Sequence, residues 1–149
     1  MKVYLRDATR RRFDRRGLRR ALVRLLEETG EGDASVALTL VGDAGIRRIN
    51  RERRGKDAAT DVLSFPLYAP GEPTPAGVER LLGDIVISVP TAQRQARAYD
   101  ATLDAELKRL LVHGLLHLLG HDHERPRERT RMLAEERRLA TAIGIEWPY

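Results

Sequence analysis

The sequence contains no cysteine among its 149 residues. This absence excludes disulfide bonds, thiolate metal ligands and thiol nucleophiles together. Serine chemistry is poorly supported as well, because none of the serines Ser35, Ser64 and Ser88 lies in a GxSxG elbow. No phosphate-cradling glycine loop with a following Lys-Ser or Lys-Thr is present. Any bound metal ion must therefore be held by histidine, aspartate or glutamate.

Long apolar runs are also missing. The longest apolar stretch, Leu110 to Leu119, is interrupted by His113, Gly114 and His117, and it is shorter than the roughly 20 residues that a membrane-spanning helix needs. The first residues, MKVYLRDATRRRFDRR, carry charges where a secretion signal needs an apolar core of about 7 to 15 residues. We therefore expect no membrane span and a cytoplasmic protein.

Charge is distributed unevenly along the chain. Residues 1–60 contain 16 basic and 9 acidic residues, whereas the whole chain has a formal net charge of +5. A basic half of this kind can attract a polyanion, because Lys and Arg that neutralise phosphates release condensed counterions. An arginine-rich solvated surface would have the same composition, so charge alone leaves both interpretations open. Aromatic residues make up only 5% of the chain and form no RNA-stacking series, so RNA contact would be mainly electrostatic.

Length and composition predict one domain that comprises residues 1–149. Hydrophobic periodicity predicts alternating strands and helices in its first part. The expected elements are a strand at Lys2 to Arg6, a helix from an Asp14 cap to Gly30, a strand at Val36 to Val41 and a helix capped by Asp43 that ends near Gly55.

The second part of the chain is expected to add two strands and three helices. A proline- and glycine-rich loop separates the two strands. The expected elements are strands at Asp61 to Leu67 and Asp84 to Val89, a helix from Pro90 to about Tyr99, a helix that Thr102 caps and Gly120 ends, and a last helix over about 127–143.

All four histidines lie within the eleven residues HGLLHLLGHDH, from His113 to His123. Residues four apart share one face of a helix, so His113 and His117 can direct their ring nitrogens at a common point. Gly120 permits a turn that can return His123 to that point as a third ligand. Three histidine nitrogens leave a fourth tetrahedral position for water, which is the arrangement of a catalytic zinc.

The alternative is that His113 and His117 are ordinary core residues with hydrogen-bond partners. Their neighbours are mostly leucines, so the helix is expected to be buried nearly all round, where an unpaired imidazole costs roughly 1 to 3 kcal/mol. Two such residues on one face, with a third after a glycine, favour a shared metal. We interpret His121 as a solvated turn residue. Asp122 has two roles open to it, capping the turn or holding a ligand imidazole.

The HxxxHxxGxxH frame is similar to the zinc-binding segment of metzincin peptidases, in which a glutamate follows the first histidine as the general base. Here that residue is Gly114, so the peptidase hypothesis lacks its proton acceptor. The same segment, together with NRERRGKDAATDVLSFP from Asn50 and LGDIVIS from Leu82, resembles the YbeY family. These proteins are bacterial endoribonucleases, also called ribosomal RNA maturation factors, and the resemblance extends over nearly the whole chain.

The resemblance implies a zinc ion on His113, His117 and His123, one per chain. It implies an α+β fold with a mixed sheet of about four strands flanked by about five helices, and a metal site on a buried central helix and the turn after it. It also implies cleavage of single-stranded RNA on the ribosome, in maturation of the 3′ end of small-subunit RNA and in ribosome quality control. Small-subunit proteins and an assembly GTPase would be the partners.

The functional arginine of the family's RGKD segment falls on Arg54. An arginine there is chemically reasonable, because its planar guanidinium can bind a phosphate through two hydrogen bonds and stabilise developing charge. By sequence alone, a solvated helix end is the simpler interpretation of Arg54, which belongs to a basic run. Arg53 departs from the aromatic residue common in relatives, and Ala58 and Ala59 replace a more polar turn. The two other hypotheses are a zinc peptidase and a ribosome assembly factor whose metal is structural.

Overall fold

Four strands form one mixed sheet, and the computed structural model describes it within residues 2–147. The strands are β1 (Lys2–Asp7), β2 (Ser35–Val41), β3 (Val62–Pro66) and β4 (Leu81–Ser88), and they lie in the order β1-β2-β4-β3. β1 pairs with β2, and β2 with β4, in parallel, whereas β3 is antiparallel to β4. This α+β fold with a four-stranded mixed sheet confirms the sequence-based expectation.

Five helices surround the sheet: α1 (Arg15–Glu28), α2 (Asp43–Arg54), α3 (Val89–Ala98), α4 (Leu103–Leu118) and α5 (Pro126–Ala142). The first four pack against strands, whereas α5 packs against α1 and α4. Local capping explains several boundaries. The Asp14 side chain accepts a hydrogen bond from the Gly17 amide, and Thr102 accepts one from the Ala105 amide. Gly55 ends α2 in the left-handed conformation, which a residue without Cβ adopts at little cost.

The two faces of the sheet are covered differently. Ile85 and Ile87 of β4 point into a large core formed with α1, α4 and α5, whereas Val86 between them packs with Ile46 of α2 on the opposite face. This alternation follows from the two-residue period of a strand. The helix α4 is deeply buried, since six of its seven leucines are at most 5% exposed. The metal-ligand candidates His113 and His117 therefore lie on a buried central helix, as expected.

The predicted Asp43 cap was wrong. Gly42 occupies the N-cap position without a side-chain hydrogen bond, and Asp43 is the first helical residue. Its carboxylate instead accepts hydrogen bonds from the hydroxyls of Ser88 and Thr91 at 2.6 and 2.7 Å. These bonds lower the pKa of Asp43 and tie the start of α2 to the end of β4 and the start of α3.

Within residues 2–147, no helix is both long enough and apolar enough to cross a membrane.

Gly83 is expected to be essential for pairing of β3 with β4. It lies opposite Pro66 with φ of +148°, and an added Cβ would collide with the carbonyl oxygen of Phe65. Gly83→Ala should therefore lower the free energy of unfolding by about 3 kcal/mol, measured by urea denaturation. Gly32→Ala is the control, because no atom lies within 4 Å of the added carbon. Equal stability of the two variants would contradict this account.

Candidate metal centre

Two of the candidate ligands are placed by α4. His113 and His117 lie one turn apart on this helix, and their Nε2 atoms are 3.1 Å apart. Nitrogen ligands at about 2.0–2.1 Å from a tetrahedral metal are separated by about 3.3–3.4 Å. The pair therefore has a spacing close to that of two ligands of one ion.

The third candidate ligand is brought back by the turn after α4. Gly120 has φ of +94°, and the amide of His121 donates to the carbonyl of Leu116, so the chain reverses where the helix ends. The ring centroid of His123 lies 5.5 Å from that of His113 and 6.0 Å from that of His117. Each of the three histidines offers a ring nitrogen within 4.8 Å of the other two. The structure thus contains a group that can hold a metal ion.

The protonation of these histidines suits metal binding. Burial, followed by the neighbouring imidazoles, lowers the pKa of His113 to about 4. Burial also lowers the pKa of His117. Both rings are therefore neutral at pH 7 and have a free lone pair on one nitrogen, which is the form that binds a metal ion.

The two residues that precede His123, His121 and Asp122, have different roles. Asp122 caps the turn, because its Oδ1 accepts hydrogen bonds from the backbone amides of His123 and Glu124 at 2.6 and 3.3 Å. Of the two roles that the sequence left open, these hydrogen bonds favour capping of the turn over support of a ligand imidazole. His121 lies outside the three-histidine group and lines a separate cavity with Glu135 and Arg138.

Two cavities adjoin the histidines. The first, of about 430 Å³, borders His113 and His117 and is lined by Arg53, Arg54, Val62, Ser64 and Phe65. The second, of about 410 Å³, borders His113 and His123 and is lined by Asp61, Gln95, Arg109, Leu110, Arg129, Leu133 and Glu136. A ligand can therefore approach the three histidines from two sides.

Arg54 lies at the first cavity, on the same side as the histidine pair. It is the last residue of α2 and is exposed. Its charge contributes to the lowered pKa of His117. Beside it, the guanidinium of Arg53 stacks on the ring of Phe65 at 3.9 Å, which resolves how an arginine is accommodated at this position. An anion in this cavity would meet both the arginine and the histidines.

Gly114 packs closely against the sheet. Its carbonyl accepts a hydrogen bond from the Ser64 hydroxyl at 2.9 Å, and an added Cβ would lie 3.0 Å from Ile85 Cγ2 and 3.3 Å from that hydroxyl. Both distances are shorter than an ordinary van der Waals contact, so Ile85 and the Ser64 hydroxyl would have to shift by a few tenths of an ångström to admit a side chain. The position of the metzincin base is thus filled by a helix–sheet contact.

Two acidic residues near the site were missed by the sequence-based interpretation. Asp61, interpreted only as the start of a strand, lines the second cavity and accepts a hydrogen bond from Gln95 at 3.2 Å. Glu136 is 3% exposed, and its Oε1 lies 3.2 Å from His123 Nε2. A signal for Glu136 did exist, because it shares the apolar stripe of α5 with Met132 and Leu139. Asp61 lies in the segment that carries the family resemblance, but nothing in that segment marks it as a residue of the site.

Comparison with known proteins identifies one family. The family model described as endoribonuclease YbeY matches residues 6–144. Proteins named endoribonuclease YbeY from Anaeromyxobacter sp. (strain Fw109-5), Myxococcus xanthus and Thermus thermophilus are 53%, 54% and 55% identical to the chain. The matches cover 87%, 85% and 72% of this chain, but 65%, 41% and 76% of those proteins. The chain therefore spans less than two thirds of the first two relatives.

A solved structure supports the fold. The solution structure of TM1509 from Thermotoga maritima superimposes on the chain with a TM-score of 0.67 and 26% sequence identity. The match covers 95% of this chain and 88% of the Thermotoga protein. The whole arrangement of sheet and helices is thus shared with an experimentally determined protein.

Zinc is expected to stabilise the protein through the three histidines. At free zinc of about 100 times its dissociation constant, the Tm should rise by roughly 5 to 10 °C, because the ion binds only the folded state. His117→Ala should abolish this rise in a thermal melt. His121→Ala is the matched control, since this histidine lies outside the group. A rise that persists in His117→Ala would show that the metal binds elsewhere.

Proposed function

The chain belongs to the YbeY family, and on that premise we propose that it is a zinc-dependent endoribonuclease that cleaves single-stranded RNA. The observation that carries the proposal is the position of Arg54 at the cavity that also borders His113 and His117. This cavity combines a metal-ligand group with a permanent cation, and a phosphodiester is the substrate group that uses both.

Three neutral imidazoles leave the charge of a divalent metal unbalanced, so the site attracts anions. A bound zinc would supply a Lewis acid and lower the pKa of a coordinated water. His113, His117 and His123 are the proposed ligands. The three side chains are half-buried, and the helix α4 that carries two of them is otherwise packed into the core.

Arg54 is the proposed catalytic residue. Its guanidinium remains charged at any working pH and can donate two parallel hydrogen bonds to a phosphate. From the end of α2 it would hold the scissile phosphate beside the histidines and stabilise charge that develops in the transition state. The Arg53–Phe65 stack supports this end of the helix.

The finer assignment follows from the family resemblance. We propose that residues 1–149 act as one hydrolase domain in the cytoplasm, in maturation of the 3′ end of small-subunit ribosomal RNA and in ribosome quality control. The small subunit, its proteins and an assembly GTPase are the proposed partners. The basic first half of the chain, with 16 basic and 9 acidic residues in 1–60, supports a polyanionic partner.

The other two hypotheses remain testable. A zinc peptidase is favoured by the three-histidine frame and opposed by Gly114, which leaves no side chain at the position of the peptidase base. A structural metal would brace the turn at His123, in which case a chelator would lower stability while RNA stayed intact. A metal-dependent peptide-cleavage assay tests the peptidase hypothesis. The RNA-cleavage comparison described next tests the hypothesis of a structural metal.

Arg54→Ala is expected to lower the rate of cleavage of a single-stranded RNA by about 10² to 10³, because one charge-stabilising donor is lost. His117→Ala should reduce cleavage to background through loss of the metal. Arg48→Ala is the matched control, since Arg48 is exposed on the same helix but does not line the cavity. The rates are measured on proteins purified by one protocol. Equal cleavage by all variants would indicate a contaminating nuclease and exclude the proposal.

A further inference from the structure

A buried carboxylate on α5, that of Glu136, lies next to the proposed metal site. Glu136 is only 3% exposed and stands in line with Met132, Leu139 and Ala140 on the buried face of that helix. A carboxylate in such surroundings loses much of its hydration, and burial raises the pKa of Glu136. Its burial therefore needs a compensating interaction.

The compensating partner is His123, the third proposed metal ligand. Glu136 Oε1 lies 3.2 Å from His123 Nε2, and both residues line the second cavity with His113. Arg109 contributes a more distant attraction, but its guanidinium is bonded to Glu106 at 2.5 and 2.6 Å. Among the described residues, the Glu136 carboxylate thus contacts His123, a proposed metal ligand.

His123 needs such support more than the other two ligands. His113 and His117 are held by the buried helix α4, whereas His123 lies in an irregular segment between α4 and α5. Asp122 binds its backbone amide, and Arg129 Nε donates to its carbonyl at 3.2 Å. These contacts place the backbone but leave the ring free to rotate about the side-chain bonds. Among the described contacts of this residue, Glu136 is the one whose carboxylate approaches a ring nitrogen, at 3.2 Å. Oε1 of Glu136 is buried and has no hydrogen-bond partner among the described residues.

We propose that Glu136 is the positioning residue for His123. Its carboxylate accepts the N–H of His123 Nε2, which leaves the lone pair of the other ring nitrogen available to the metal. Its negative charge also offsets part of the charge of the bound ion. The inference rests on the proposed metal site and adds a residue to it. Carboxylates that orient ligand histidines commonly contribute about 10- to 100-fold to metal affinity.

The test measures zinc affinity by competition with a chelator of known affinity. Glu136→Leu should weaken zinc binding by about 10- to 100-fold, because it removes both the acceptor and the charge. Glu136→Gln should weaken binding less, since its amide oxygen can still accept the ring N–H. Glu135→Gln is the matched control: this neighbour pairs with Arg138 instead, and its substitution should leave zinc affinity unchanged.

Thermal unfolding of the metal-free proteins separates positioning from general packing. Metal-free Glu136→Leu should be at least as stable as the wild type, because an apolar side chain replaces a buried charge. Added zinc should raise the Tm of Glu136→Leu less than it raises the Tm of the wild type.

Three results would overturn the inference. The first is a zinc affinity of Glu136→Leu equal to that of the wild type. The second is an equal loss of zinc affinity in Glu136→Gln and Glu135→Gln. A wild-type protein that binds no zinc would overturn both this inference and the proposed metal site.

Discussion

The close approach of α4 to the sheet is the contact on which the site depends. Gly114 has no side chain, so Ser64 of β3 can reach its carbonyl at 2.9 Å and Ile85 of β4 packs directly beneath the helix. The contact holds the helix that carries His113 and His117 against β3. The same strand carries Phe65, on which Arg53 at the end of α2 stacks. The helix of the histidines and the helix of Arg54 are thus both anchored to β3.

The electrostatics of the site follow from which groups are buried. Burial keeps His113 and His117 neutral and raises the pKa of Glu136, whereas Arg54 at the surface retains its charge. The exposed side of the site is therefore positive and suited to an anionic substrate. The buried side holds the carboxylate of Glu136. Under the proposed function, substrate is recognised on one side of the histidines and the third ligand is supported on the other.

Much of the fold was predictable because its signals are local. Asp14 and Thr102 cap helices as expected, and Gly55 and Gly120 take the left-handed conformation at or just after a helix end. Asp43 was misassigned for a physical reason. The helix begins one residue earlier than a cap at Asp43 requires, and Ser88 and Thr91, which are distant in sequence, bind the carboxylate instead. The strand boundaries moved by a few residues, because pairing between strands determines where each one ends.

The sequence by itself determined the candidate ligand set, because helical periodicity and a glycine break are properties of one short segment. It also excluded cysteine ligands and pointed to the family. Only the tertiary structure decided that Arg54 borders the same cavity as His113 and His117, and that Glu136 contacts His123. In the sequence, Arg54 is one of several arginines and Glu136 one of several acidic residues on a charged helix. Their roles depend on packing between separate elements, and no local pattern records which surfaces will meet.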